Sequence, residues 1–161
     1  MSIRIVATGG TFDKHYDAVK GILGFDKTHL PQVLSQARVT VPITVQELML
    51  LDSLDMQDAD RARIREACSQ AQEERIVIIH GTDTMRETAE VLGTAGLSKT
   101  IVLTGAMIPY EVADSDALFN FGCAIGVVQH LAQGVYIVMN GQVFSWENVV
   151  KDRAAGRFTQ R

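Results

Sequence analysis

Cysteine is scarce in this sequence: Cys68 and Cys123 are the only two in 161 residues. Both sit in helix-like contexts, where such isolated cysteines are more often buried thiols than a disulfide or metal pair. No other stretch has metal-ligand spacing. Excess charge of one sign is also missing. Fifteen Lys and Arg against nineteen Asp and Glu give a net charge of −4 with the signs well mixed. No basic stripe interleaved with aromatics suggests a nucleic-acid face. From Met1 the chain enters "IRIVAT" directly, without a charged leader and a long apolar segment, so no signal peptide is expected. No repeat, low-complexity tract or internal linker is visible. These absences point to a cytoplasmic protein with no nucleic-acid or membrane partner. What remains is ordinary for a globular chain, 47% apolar and 21% charged. It suffices for one domain over residues 1–161 that buries roughly 70% of the surface its unfolded form exposes.

Apolar runs of strand length alternate with amphipathic stretches, which predicts an α/β fold with a parallel-rich sheet and helices on both faces. Residues 3–8, 75–80, 99–105 and 134–140 are short and rich in Val and Ile, as suits strands covered on both sides. A fifth strand is expected over residues 43–50. Ile64, Cys68 and Ala71 recur at helical spacing. Thr84 to Glu87, "TMRE", reads as a capping box opening a helix. Another helix is expected from "DALFN" to a stop at Gly134. The stretch from Phe12 to Lys27 has no clear period and reads as a long mobile loop of the kind that serves as a lid. The C-terminal "KDRAAGRFTQR" reads as a solvated or mobile tail.

Open α/β sheets bind ligands outside the carboxyl ends of their strands, so the polar residues there matter most. Four groups qualify: "TGGT" (Thr8 to Thr11), "LDSLDM" with Asp52, Ser53 and Asp55, "HGTDT" (His80 to Thr84) and "TGAM" (Thr104 to Met107). Each has a plain structural reading. Asp55 and Thr84 would cap helices, Gly9, Gly10, Gly81 and Gly105 would form turns, and His80 would be a hydrogen-bonded structural histidine. Repetition at successive strand ends favours a shared crevice. A threonine hydroxyl becomes a nucleophile once a neighbour takes its proton, and acyl transfer needs N–H donors aimed at the oxyanion. Either Thr8 or Thr11 has bare glycine backbone beside it for that purpose. Thr82 and Asp83 would add a second hydroxyl and a fixed negative charge suited to a substrate ammonium. Lys151, unless it is a solvated surface lysine, would favour deprotonation of a hydroxyl.

These motifs resemble the L-asparaginase/glutaminase family of threonine amidohydrolases. "ATGGTF" is similar to its first threonine signature and "IIHGTDTMRETA" to its second. "LDSLDM", "VLTGAM" and "VMNGQV…VVKD" follow in matching order, so the likeness covers nearly the whole chain. It is a likeness to the N-terminal domain only. The resemblance implies a flavodoxin-like fold, no cofactor and no metal. It implies hydrolysis of L-asparagine to L-aspartate and ammonia through a threonine acyl-enzyme. Thr11 would be the nucleophile, and Thr82, Asp83 and Lys151 a second catalytic cluster. Tyr16 would be the lid tyrosine that hydrogen-bonds the nucleophile, with Phe25 in the neighbourhood where longer enzymes carry it. Ser53 would bind the substrate carboxylate and Asp83 its ammonium. Backbone N–H groups of Gly10 and Thr82 would form the oxyanion hole, and Asp52, Gly81 and Ala106 would line the same pocket. Leu54 stands where the family has a glutamine, and "PYEVADSDALFN" replaces a segment of small residues. With no C-terminal domain in the match, a homo-oligomer interface and the lid are expected to complete the site, with weak affinity. The alternatives are an amidase acting on glutamine or on an amide held in a larger partner, and a non-catalytic small-molecule-binding module.

Overall fold

Every residue of "IRIVATG" except Arg4 is buried, because β1 (Ile3–Gly9) lies between two parallel neighbours. The computed structural model describes residues 1–161. After β1 come a 3-10 turn (Thr11–Asp13), β2 (His15–Asp17), β3 (Ile22–Gly24), α1 (Leu30–Gln36), β4 (Ile43–Leu51), α2 (Asp58–Gln70), β5 (Arg75–Ile79) and α3 (Met85–Thr94). The chain continues through β6 (Thr100–Thr104), α4 (Ala117–Val128), β7 (Gly134–Met139), β8 (Gln142–Ser145), a second 3-10 turn (Trp146–Asn148), β9 (Val150–Asp152) and β10 (Arg157–Thr159). The main sheet has the order β4-β1-β5-β6-β7-β8, parallel except for the β7–β8 pair. In order of appearance its parallel strands lie 2-1-3-4-5. This is the doubly wound, flavodoxin-like order, in which the connections diverge to opposite faces beside the first strand. The switch point is therefore the crevice between β1 and β5.

Successive strand side chains point to opposite faces, so each central strand feeds two cores. Ile76 and Ile78 of β5 and Ile101 and Leu103 of β6 pack with Ile64 and Cys68 of α2 and with Met85, Ala89 and Leu92 of α3. Ile3, Ile5 and Ala7 of β1 and Val77 and Ile79 of β5 pack with Leu30 and Val33 of α1 and Phe121, Ala124 and Val128 of α4. Each fully buried Ile or Leu stabilises the fold by about 1.5–3 kcal/mol relative to exposure. Burial also pushes the Cys68 thiol up to about 12, which leaves it protonated and inert. No helix is long and apolar enough to cross a membrane.

Several local expectations are corrected. Residues 12–27 are not an irregular loop. Phe12 is fully buried and stacks on Tyr110 with ring centroids 6.5 Å apart, and β2 and β3 pair antiparallel as a hairpin. The C-terminal segment is not a solvated tail: β9 and β10 pair antiparallel, and Phe158 is buried in the core on the α2 and α3 side. The Thr84–Glu87 capping box does not form, because the Thr84 hydroxyl donates to the Ser53 carbonyl at 2.8 Å. Reciprocal capping occurs instead at α2, where the Asp60 carboxylate accepts the Gln57 backbone N–H at 2.9 Å. α4 ends at Val128, and Gly134 opens β7 instead of closing a helix. β8 is a further strand, antiparallel, that the sequence did not suggest.

Candidate active site

The glycines after β1 exist because backbone meets backbone there. Gly9 and Gly10 have φ of 100° and 74°, values that side chains disfavour. A Cβ on Gly9 would lie 2.4 Å from the Leu51 nitrogen, and one on Gly10 would lie 2.4 Å from both Cα and N of Gly81. The β1–β4 register slips between Ala7 and Gly9, a bulge that turns the chain out of the sheet. Ser53, in the turn after β4, closes the third side: a Cβ on Gly81 would be 2.6 Å from Ser53 Oγ. The segments after β1, β4 and β5 thus meet at the switch point. Ser53 is almost fully buried, and its Oγ accepts the Thr84 backbone N–H at 3.3 Å.

The two threonines flanking the glycines differ in a way the sequence did not reveal. Thr8 is fully buried and its hydroxyl donates to the Ile79 carbonyl at 2.7 Å, tying β1 to β5. Thr11 is only partly buried, and its hydroxyl has no hydrogen-bond partner in the chain. Thr82, after β5, is 7% exposed. Its Oγ1 accepts from Lys151 Nζ at 2.8 Å and faces Met107 Sδ at 3.6 Å. Lys151 also donates to Asp83 Oδ1 at 2.8 Å. Its side chain is 11% exposed, so the ammonium acts on the Thr82 oxygen with little screening by water. The β9–β10 hairpin, which carried no periodic signal, delivers this lysine. Sequence reasoning missed Arg153 altogether: Nη1 donates to Asp83 Oδ1 at 3.0 Å and Nη2 to the Asp83 carbonyl at 3.1 Å.

Other expected site residues are engaged elsewhere. The Gly10 N–H, assigned to the oxyanion hole, donates to the Leu51 carbonyl at 2.8 Å. The Asp52 carboxylate pairs with Lys14 Nζ at 2.8 Å and accepts the Leu54 N–H at 3.0 Å. The lysine hydrogen bond holds the carboxyl below its usual range. Ala106 is 1% exposed and packs in the core on the α1 and α4 side. Tyr16 sits on β2 with 55% exposure, and its hydroxyl is not bonded to Thr11. A surface concavity of about 630 Å³ lies elsewhere, against Arg63, Ser69 and Leu97.

His80 is structural in geometry. Nδ1 lies 2.7 Å from the Gly81 carbonyl and Nε2 2.7 Å from Thr88 Oγ1. A carbonyl only accepts, so Nδ1 carries the proton and Nε2 accepts from the Thr88 hydroxyl. Complete burial depresses its pKa to about 4 from 6.5. The unfolded chain therefore takes up a proton at a higher pH than the folded one. The stability from keeping this ring neutral is whole above pH 6.5 and is lost as pH falls toward 4, about 3 kcal/mol in all. Urea midpoints measured across that range are expected to show this loss, and a His80→Gln variant is expected to show less of it.

Comparison with known proteins gives a consistent family. The family model for the asparaginase N-terminal domain matches residues 2–159. A glutamyl-tRNA(Gln) amidotransferase subunit of Thermococcus kodakarensis is 31% identical over 88% of this chain and 34% of that protein. L-asparaginase 2 of Escherichia coli is 30% identical over 93% of this chain and 46% of that protein. Among solved structures, the thermostable L-asparaginase from Thermococcus kodakarensis superposes with a TM-score of 0.86 at 25% identity, over 99% of this chain and 51% of that one. A probable cytoplasmic L-asparaginase from Campylobacter jejuni gives 0.77 at 30% identity, over 92% of this chain and 49% of that one. The chain thus spans between a third and about half of the length of these relatives.

Proposed function

The chain belongs to the asparaginase family through that family's N-terminal domain, and from this premise we propose that it is a threonine amidohydrolase converting L-asparagine to L-aspartate and ammonia. One observation carries the reading. Lys151 bridges Thr82 Oγ1 and Asp83 Oδ1, each at 2.8 Å, and the residues just before Thr11 and Thr82, Gly10 and Gly81, meet backbone to backbone. Thr11 Oγ1 attacks the amide carbon while its proton passes toward the Thr82 oxygen. The Lys151 ammonium makes the Thr82 hydroxyl a better proton donor, so Thr82 passes its own proton to the leaving amide nitrogen as it takes the one from Thr11. Collapse of the tetrahedral intermediate breaks the C–N bond, and the amide nitrogen leaves as ammonia with the transferred proton. Water then attacks the Thr11 ester, giving aspartate and restoring the hydroxyl. The Thr82 N–H is proposed as an oxyanion donor. A cytoplasmic location and assembly into a homo-oligomer belong to the same reading, the latter supported by Leu54, Met107 and Ile108, exposed apolar residues beside the strand ends.

The test is ammonia release from asparagine and from glutamine, with aspartate and glutamate measured as co-products. Release from asparagine, reduced about 10²–10³-fold by Lys151→Met, is expected from loss of one preorganised donor. A folded chain that releases ammonia from neither amide overturns the proposal.

A second reading, cleavage of an amide held in a larger partner, is favoured by one detail. A free amino acid brings an ammonium that needs a carboxylate, yet Asp83 is already paired with Lys151 and Arg153, and Asp52 with Lys14. Arg153 is 62% exposed and is the partner most easily displaced. If asparagine is the substrate, Arg153→Ala is expected to lower KM severalfold with kcat nearly unchanged. A KM unmoved by this change favours the larger partner, in line with the tRNA-linked amidotransferases among the relatives.

A further inference from the structure

Outside the Thr82–Lys151 group, three side chains from separate segments converge. His15 lies on β2, His29 immediately precedes α1, and Glu111 lies in the connection from β6 to α4. The Glu111 carboxylate is 2.9 Å from His15 Nδ1 and 2.8 Å from His29 Nε2. One donor atom from each residue lies within 4.8 Å of the other two. Behind them, His29 Nδ1 faces Oδ1 of the fully buried Asp13 at 3.3 Å. Asp13 is fixed in turn by the His29 backbone N–H and the Thr28 hydroxyl, each at 2.8 Å.

We propose that His15, His29 and Glu111 form a binding site for a divalent transition-metal ion of the zinc class, which fastens the β2–β3 hairpin and the start of α1 to the connection after β6.

The donor set is two imidazole nitrogens and one carboxylate oxygen, with a fourth position left to water, which suits zinc and its neighbours far better than magnesium or calcium. Asp13 supplies the carboxylate behind the histidine that orients such ligands: with a proton on Nδ1 aimed at Asp13, the His29 Nε2 lone pair faces the metal. Bonds of 2.0–2.1 Å at tetrahedral angles bring donor atoms to about 3.4 Å apart. Of the three, His15 has the freedom to adjust, being 45% exposed on a three-residue strand. Asp17 and Asp26 add negative charge around it, which favours a dication. Without the metal the two short histidine–carboxylate contacts are bridged by protons, and binding exchanges those protons for the ion. Asp13 and His15 follow Thr11 closely in sequence, so the ion would hold the segment that carries Thr11. The proposal does not depend on the amidohydrolase reading.

The experiment is equilibrium dialysis of the untagged chain against Zn²⁺, with Mg²⁺ and Ca²⁺ in parallel, followed by metal analysis and thermal melting. One Zn²⁺ per chain is expected, with a higher Tm in its presence and no retained Mg²⁺ or Ca²⁺. His29→Ala and Glu111→Gln are expected to lose the ion. His15→Ala, which changes a half-exposed side chain and should leave the fold intact, is expected to weaken binding at least tenfold and to abolish the Tm rise. Cys123→Ser should bind as the parent does. Zn²⁺ binding below one per chain in the parent, or binding and Tm rise unchanged in His15→Ala, overturns the proposal.

Discussion

Thr11→Ala is expected to lower ammonia release by about 10⁴-fold or more, the scale seen when an acyl-transfer nucleophile is removed, while leaving the unfolding midpoint nearly unmoved. Both halves follow from one difference between two threonines three residues apart. The Thr11 hydroxyl is partly exposed and bonded to nothing in the chain, so removing it costs the fold little. Thr8 is the opposite case, fully buried and donating to the Ile79 carbonyl at 2.7 Å. Thr8→Val should cost about 1–3 kcal/mol, the usual scale for a lost buried hydrogen bond, with the rate per folded molecule retained. Thr11→Ser keeps a hydroxyl at the attacking position and should keep measurable turnover. Rates and urea midpoints of the three variants check the pattern. A Thr11→Ala chain as active as its parent would remove Thr11 from the reaction.

How far the sequence could be read follows from what leaves a periodic or compositional mark. Strands 3–8, 75–80, 99–105 and 134–140 were legible because both their faces are buried and their Val and Ile runs are unbroken. The observed strands Ile3–Gly9, Arg75–Ile79, Thr100–Thr104 and Gly134–Met139 differ from them only at the ends. The β2–β3 and β9–β10 hairpins were not legible. Each strand is three residues long, shorter than any alternation can be recognised over, and a single buried aromatic, Phe12 or Phe158, anchors each neighbourhood. This matters to the site because the second hairpin carries Lys151 and Arg153. Lys151 was found through its motif, whereas Arg153 had none to mark it. Commitments of polar groups were equally invisible. Nothing in "LDSLDM" says that Asp52 is held by Lys14, nor does "TGGT" say that the Gly10 N–H belongs to the Leu51 carbonyl. Such pairings are set by register between strands distant in sequence, which composition does not encode.

Gly10→Ala should destabilise the fold by about 3–5 kcal/mol, within the range of severe point changes. Two independent costs combine. Gly10 has φ 74° and ψ −178°, a region adopted essentially by glycine alone and worth about 1–3 kcal/mol of strain for any other residue. The new methyl would also lie 2.4 Å from Cα and N of Gly81 and 2.8 Å from the His80 carbonyl carbon. These are backbone atoms of the neighbouring segment, so no side-chain rotation relieves the collision. The ends of β1 and β5 must separate, carrying Thr11 away from Thr82. Displacements near 1 Å between reacting groups cost on the order of 10²-fold in rate, so the folded fraction of Gly10→Ala should lose activity as well. Gly24→Ala, on β3, is the control: its φ is ordinary and no atom lies within 4 Å of the added methyl. Urea midpoints and rates per folded molecule should separate the two variants in both measures. Equal behaviour would mean that the contact between residues 10 and 81 does not set the spacing on which the proposed reaction depends.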